Sequence, residues 1–121
     1  MDSQPKVVVA EDEPLLRLVL AETLARAGVN VIETVDADQA MALIVADPAS
    51  ISVLFTDIQM PGARIDGLEL ARRVYARWPH IRVIITSGAR APEPGEMPPG
   101  AMFLAKPYDT QKLPALVLSH D

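Results

Sequence analysis

Cysteine is absent from this chain of 121 residues, and histidine occurs only twice. The first absence excludes disulfides and thiolate metal sites, and two histidines give little support to a zinc site, so any bound metal should have oxygen ligands. No apolar run approaches the length of a membrane span, and the chain does not open with a basic segment followed by a long apolar stretch. These absences lead us to expect a cytoplasmic protein with no membrane partner.

An excess of basic residues is also lacking, because 16 acidic side chains outnumber 11 lysines and arginines and give a net charge of -5. A chain with no basic stripe has little to displace counterions from phosphates, so a direct nucleic-acid partner is not expected. What is abundant is apolar, since hydrophobic residues make up 50% of the sequence. A chain of this length can bury one core, and we expect a single domain over residues 1–121.

Five short apolar runs are predicted to be strands, and helical patterns separate the first four of them. The predicted strands are residues 6–10, 30–35, 52–56, 82–86 and 102–105. Pro14 and Gly28 bound the first predicted helix, while Asp36 and Asp66 are expected to cap the second and third. Strands that alternate with helices predict an α/β fold, a doubly wound five-stranded parallel sheet in the order 2-1-3-4-5.

The stretch between the fourth and fifth strands breaks this alternation. Residues 88–101 contain four prolines and three glycines, and an interior proline costs a helix about 3 kcal/mol. We therefore expect a proline- and glycine-rich loop in place of the fourth helix. Pro114 is expected to lie inside the last helix.

Charged side chains follow three of the predicted strands. Glu11 and Asp12 follow the first strand, Asp57 follows the third and Lys106 follows the fifth. Because the carboxyl ends of parallel strands share one edge, and strands 1 and 3 are neighbours in the expected order, these groups are expected to converge. Two carboxylates about 5 Å apart repel by roughly 3 kcal/mol at an effective dielectric near 20. Such a cluster favours the binding of a hard cation.

Taken together, the strand-end residues resemble the response-regulator receiver domain of two-component signalling. The residues that carry this resemblance are Glu11-Asp12, Asp57, Thr86-Ser87 and Lys106-Pro107, with Asp57-Ile58-Gln59-Met60-Pro61 similar to the family's Asp-x-x-Met-Pro and Asp66-Gly67 similar to the start of its third helix. The resemblance spans nearly the whole chain. It implies that Asp57 takes a phosphoryl group from a sensor histidine kinase or a phosphotransfer protein, and that a downstream protein partner reads the result.

A magnesium site is implied by the same resemblance. Mg2+ would be held by Asp12, Asp57 and the backbone carbonyl of Gln59. Glu11 would act on the metal through a bound water.

Three further residues receive roles from the resemblance. Lys106 would pair with the phosphoryl oxygens, and Thr86 would donate its hydroxyl to one of them. Phe103, three residues before the lysine, would be the aromatic switch residue whose rotamer follows the active state. The domain would not be an enzyme beyond assisting its own phosphorylation and dephosphorylation, and we expect its output to run through the loop at residues 88–101.

Two alternatives remain open at this point. The same fold carries flavin and nucleotide binders, which cradle phosphate with a first loop rich in glycine, serine and threonine. Here that loop is Glu11-Asp12-Glu13-Pro14, which would repel a phosphate unless a metal intervened. The second alternative is a degenerate receiver that binds proteins independently of phosphorylation, and the intact set of acids, threonine and lysine argues against it.

Overall fold

The computed structural model describes residues 4–119, so residues 1–3 and 120–121 of the expected domain lie outside the described part. Five strands and four α-helices follow one another along the described residues. They are β1 (Lys6–Ala10), α1 (Pro14–Arg26), β2 (Asn30–Thr34), α2 (Ala37–Ala46), β3 (Val53–Asp57), α3 (Gly67–Arg77), β4 (Arg82–Ser87), β5 (Met102–Ala105) and α4 (Leu113–Leu118). Every strand begins and ends within one residue of its predicted bounds.

The strands form one parallel sheet in the order β2-β1-β3-β4-β5, as the sequence predicts. Strands β1 and β3 are neighbours, with Ala10 opposite Thr56. Asp57, the last residue of β3, lies opposite Thr86 in β4. The carboxyl ends of the central strands therefore meet at one edge of the sheet.

The helices that follow the strands begin where capping side chains predict. The carboxylate of Asp36 accepts from the backbone N–H of Gln39 at 2.9 Å, and Asp66 accepts from that of Glu69 at 2.8 Å. Each cap satisfies an N–H that the first turn leaves unpaired. The two caps therefore set the residues at which α2 and α3 begin.

Apolar side chains from alternate strand positions pack on the two faces of the sheet. On the face covered by α1 and α4 lie, among others, Val7, Val9, Val53, Phe55, Leu20 and Leu113. On the face covered by α2 and α3 lie Val8, Ala10, Leu54, Ile44 and Leu70. The odd-numbered residues of β1 and β3 thus face α1, and the same alternation carries Glu11 and Asp57 to that side.

The segment between β4 and β5 contains one 3-10 turn, Pro94–Glu96, and no α-helix. Arg72 in α3 donates from Nε to the backbone oxygen of Glu96 at 3.0 Å. Met97 and Phe103 pack beside a small buried cluster that includes Ile85. The loop is thus held against α3 and β4 by one arginine and by apolar contacts.

Pro114 lies inside the last helix, as expected, at the start of that helix. A 3-10 turn, Thr110–Lys112, precedes α4, which places Pro114 in the first turn of that helix. Proline is tolerated there because its missing N–H would have no helical partner. The other end of α4 is capped by Arg82, whose guanidinium donates to the backbone oxygens of residues 116, 117 and 119 at 2.7–3.0 Å.

Between residues 4 and 119, no helix has both the length and the apolar character needed to cross a membrane.

Gly67→Ala is expected to destabilise the fold. A Cβ on Gly67 would overlap the backbone oxygen of Asp57 and lie 2.9 Å from Thr56 Oγ1. Because neither atom is at the end of a flexible side chain, we expect a loss of about 1–3 kcal/mol in the free energy of unfolding, measured with urea. The matched control is Gly95→Ala, whose new Cβ meets nothing within 4 Å and should change stability by less than about 0.5 kcal/mol. Equal effects of the two substitutions would contradict this packing.

Candidate functional site

Three carboxylates gather at the carboxyl ends of β1 and β3. Glu11 is fully buried and Asp57 is 5% exposed, whereas Asp12 is exposed. One oxygen from each of the three groups lies within 4.8 Å of the others. The sequence expectation that these acids converge agrees with this geometry.

The ammonium group of Lys106 joins the acids from the end of β5. Its Nζ lies 3.0 Å from Oδ2 of Asp57, to which it donates a hydrogen bond, and 3.2 Å from Oε1 of Glu11. The backbone places it there, because the N–H of Lys106 donates to the backbone oxygen of Ser87 at 3.0 Å and continues the β4–β5 pairing. The peptide bond between Lys106 and Pro107 is cis. One cation thus bridges two buried acids.

Glu11 is fixed by contacts that the sequence pattern does not reveal. Its Oε2 accepts from the backbone N–H of Glu13 at 3.0 Å. Its backbone oxygen accepts from Nη1 of Arg17 in α1 at 2.9 Å, and Arg17 also lies 3.7 Å from the carboxylate of Glu33 in β2. Arg17 therefore ties α1 to the loop that carries the two acids. Only its position one turn into the helix could have suggested this role.

Burial and charge act in opposite directions on the ionisable groups. Burial raises the pKa of Glu11 and the nearby charge of Asp57 adds to this, while the hydrogen bond from Glu13 and the Lys106 ammonium oppose it. Burial would lower the pKa of Lys106, but the hydrogen bond to Asp57 and the charges of both acids outweigh it, so the pKa is raised. The lysine therefore stays cationic at neutral pH.

Two buried carboxylate oxygens lack hydrogen bonds within residues 4–119. Oδ1 of Asp57 has no hydrogen-bond partner, and Oε1 of Glu11 has only the ion pair with Lys106. Buried carboxylates left unpaired are costly. Together with the exposed carboxylate of Asp12, they form an oxygen-only donor set that fits a hard cation. The residues present therefore fit the magnesium site that the sequence implies.

Thr86 lies opposite Asp57 in the sheet, Gln59 is hydrogen-bonded to Ser87, and Phe103 packs in a separate apolar cluster. Thr86 is fully buried beside Asp57, and its Oγ1 has no hydrogen-bond partner among the described residues. The side-chain oxygen of Gln59 accepts from Ser87 Oγ at 2.8 Å. Phe103 packs against the cluster next to the 88–101 loop. The structure thus places the unpaired hydroxyl of Thr86 next to Asp57 and the ring of Phe103 next to the 88–101 loop.

These features match a known family. A family model described as "Response regulator receiver domain" matches residues 7–118. The chain therefore belongs to the response-regulator receiver domain family, and its function class is that of a phosphoacceptor receiver. These matches do not favour a flavin or nucleotide binder.

Individual relatives agree with this assignment. The C4-dicarboxylate transport transcriptional regulatory protein DctD of Rhizobium meliloti (strain 1021) is 32% identical over 121 residues, which cover 93% of this chain and 24% of that protein. The response regulator receiver protein CpdR of Brucella abortus (strain 2308) is 32% identical over 112 residues, or 89% of each chain. The chain thus spans about a quarter of the length of some curated relatives and most of the length of another.

A solved structure gives the same result for the fold. The response regulator receiver protein from Sinorhizobium medicae WSM419 superimposes with a TM-score of 0.86 at 27% sequence identity. The match covers 95% of this chain and 92% of that one.

Glu11→Gln is expected to change how stability depends on pH. A carboxyl whose pKa is higher in the folded chain stabilises most below its unfolded pKa, ordinarily 4.5, and this stabilisation is lost as the pH rises through the folded value. Each unit by which the pKa is raised corresponds to about 1.4 kcal/mol. Because glutamine does not titrate, the stability of Glu11→Gln relative to wild type should increase from about pH 4.5 towards pH 7.

Urea unfolding without divalent cations, repeated across this pH range, measures the difference. Glu22→Gln, at an exposed position of α1, is the control and should run parallel to wild type. A Glu11→Gln curve that also runs parallel to wild type would show that the folded protein does not raise this pKa.

Proposed function

We propose that Asp57 accepts the phosphoryl group and that Lys106 is the cation that makes the transfer possible. The observation that carries this proposal is the 3.0 Å contact between Lys106 Nζ and the Asp57 carboxylate, beside the buried carboxylate of Glu11. A lone cation between two buried acids is suited to an added group that brings more negative charge. The structural role of a simple ion pair would not require a second and a third carboxylate.

Phosphoryl transfer requires little covalent chemistry from the protein. A carboxylate oxygen of Asp57 forms a bond to phosphorus while the phosphorus–nitrogen bond of a phosphohistidine donor breaks and its imidazole leaves. Phosphoryl transfer depends mainly on positioning and on the stabilisation of charge on the phosphoryl oxygens. Lys106 provides a positive charge for these oxygens. The buried hydroxyl of Thr86, which has no hydrogen-bond partner among residues 4–119, provides a donor.

Magnesium would be held by the three gathered acids and by the main chain beyond β3. Asp12 and Asp57 would be direct ligands with the backbone carbonyl of Gln59, and Glu11 would act through a water. Bound Mg2+ would supply further positive charge for the phosphoryl oxygens. The protein would contribute oxygen ligands at the carboxyl edge of the sheet. Arg17 holds the loop that carries Glu11 and Asp12 in place.

The domain acts as a switch between proteins and not as an enzyme on a separate substrate. Its donor would be a sensor histidine kinase or a phosphotransfer protein in the cytoplasm, and its reader a downstream protein partner. Movement of Thr86 towards the phosphoryl group would change the packing of Phe103, which lies against the 88–101 loop. We propose this loop as the surface that changes, without direct contact between this domain and nucleic acid.

Asp57→Asn is expected to abolish phosphorylation. Incubation with Mg2+ and acetyl phosphate should add one phosphoryl group to the wild-type protein, seen by intact-protein mass spectrometry, and none to the variant, because the amide is not a nucleophile. Asp47→Asn, at the end of α2, is the control and should be modified like wild type. Modification of Asp57→Asn to the wild-type extent would place the acceptor elsewhere.

Asp12→Asn is expected to weaken magnesium binding without harming the fold. In wild type, Mg2+ at about ten times its Kd should add about 1.4 kcal/mol to the free energy of unfolding at neutral pH. The exposed carboxylate of Asp12 is the member of the cluster that can be neutralised with least change to packing, so the variant should lose most of this gain. Glu22→Gln, which removes an equal charge from the exposed side of α1, should keep it. Equal stabilisation of all three proteins by Mg2+ would mean that the ion binds elsewhere.

A further inference from the structure

Ser87, the last residue of β4, contacts three segments of the site. It is fully buried, and its backbone oxygen accepts from the N–H of Lys106 at 3.0 Å. Its hydroxyl donates to the side-chain oxygen of Gln59 at 2.8 Å and accepts from the backbone N–H of Ala89 at 3.0 Å. One hydroxyl therefore joins the segment after Asp57 to the start of the loop that follows β4.

This hydroxyl uses both its donor and its acceptor capacity. Because a backbone N–H can only donate, the contact with Ala89 uses the hydroxyl oxygen as an acceptor, which leaves its proton for Gln59. Alanine at position 87 would remove both hydrogen bonds, whereas methionine at position 59 would remove only the one to Gln59. The two contacts can therefore be separated by substitution.

Gln59 lies between two residues that the fold holds in place. The backbone N–H of Ile58 donates to β4 at 3.0 Å, and its backbone oxygen accepts from the N–H of Gly67 at 2.9 Å. On the other side of Gln59, Met60 is only 4% exposed. Gln59 itself is exposed. The residue of this segment that is most free to follow a change at Asp57 is therefore Gln59.

The far end of the 88–101 loop contacts the same segment of chain. Met97 and Phe103 pack against the buried cluster that includes Ile58. These contacts are apolar, whereas the near end of the loop is held by the hydrogen bonds described above. The loop is thus connected at each end to one of the two residues that follow the proposed phosphoryl acceptor.

We propose that Ser87 is a positioning residue that transmits phosphorylation of Asp57 to the near end of the 88–101 loop. This inference rests on the proposed function. Asp57 is only 5% exposed, so an added phosphoryl group needs space that the neighbouring chain has to yield. A shift of Gln59 would reorient the Ser87 hydroxyl, and the N–H of Ala89, which donates to that hydroxyl, would change its hydrogen bond.

The test compares Ser87→Ala and Gln59→Met with wild type by amide hydrogen exchange, before and after addition of Mg2+ and beryllofluoride as the phosphoryl mimic. In wild type, the mimic should change exchange at residues 89–91 and at residues 97–101. In both variants the change at residues 89–91 should be lost, and the change at residues 97–101 should remain. Without ligands, Ser87→Ala should exchange the Ala89 amide about fivefold faster, the effect of one lost hydrogen bond.

Ser52→Ala is the matched control, because it removes a hydroxyl just before the amino end of β3, at the opposite end of that strand from Asp57. It should respond to the mimic like wild type. A wild-type response at residues 89–91 in Ser87→Ala would overturn the proposal. A response that is lost in Ser87→Ala but kept in Gln59→Met would also overturn it, because the serine would then act only as an acceptor for Ala89.

The same samples separate this inference from the proposed function. If the wild type neither binds beryllofluoride nor takes a phosphoryl group on Asp57, the proposed function itself fails. A wild type that is phosphorylated on Asp57 but shows no change at residues 89–91 removes only this inference.

Discussion

The ammonium of Lys106, held between two buried carboxylates, is the interaction on which the rest of the site depends. Without it, Glu11 and Asp57 would be two neighbouring negative charges with almost no access to water, and such a pair is unstable. With it, each acid has a cation at 3.0–3.2 Å, and the charge of the site is only partly neutralised. The remaining negative charge suits a divalent cation, and in the function proposed above the lysine would also pair with the phosphoryl oxygens.

The fold brings this lysine to the acids through the order of its strands. Lys106 follows the last strand in sequence and sits two strands from β3, yet its long side chain reaches Asp57 because all five strands end at one edge. On the α1 side of that edge, Arg17 holds the backbone of Glu11 through a hydrogen bond to its carbonyl oxygen. On the other side, Phe103 packs against the cluster next to the 88–101 loop.

Much of this architecture could be predicted from the sequence, because its signals are local or depend on strand ends. The apolar runs, the caps at Asp36 and Asp66 and the alternation of elements predict the sheet order, which the structure confirms. The positions of Glu11, Asp12, Asp57 and Lys106 directly after strands predict that they meet. Their chemical roles, and those of Thr86, Gln59 and Phe103, stay predictions that the experiments above address.

What the sequence could not supply depends on contacts between distant elements. Pro114 lies inside the last helix, as expected, but the pattern does not show where the preceding 3-10 turn ends and the α-helix begins. The hydrogen bond from Arg17 to the backbone of Glu11 requires the exact orientation of α1 over β1, and no motif encodes it. Tyr108 follows the Lys106-Pro107 pair, but only the structure shows that its ring packs edge-on against Phe55 and that its hydroxyl has no hydrogen-bond partner among the described residues.

A crystal structure of the protein with Mg2+ and beryllofluoride would test the central claim most directly, because it reads the position of one nitrogen atom. The account predicts beryllium bonded to a carboxylate oxygen of Asp57, with Lys106 Nζ within about 3.2 Å of a fluorine. Beryllofluoride on another residue, or a lysine that remains paired with Glu11 and makes no contact with the mimic, would contradict it.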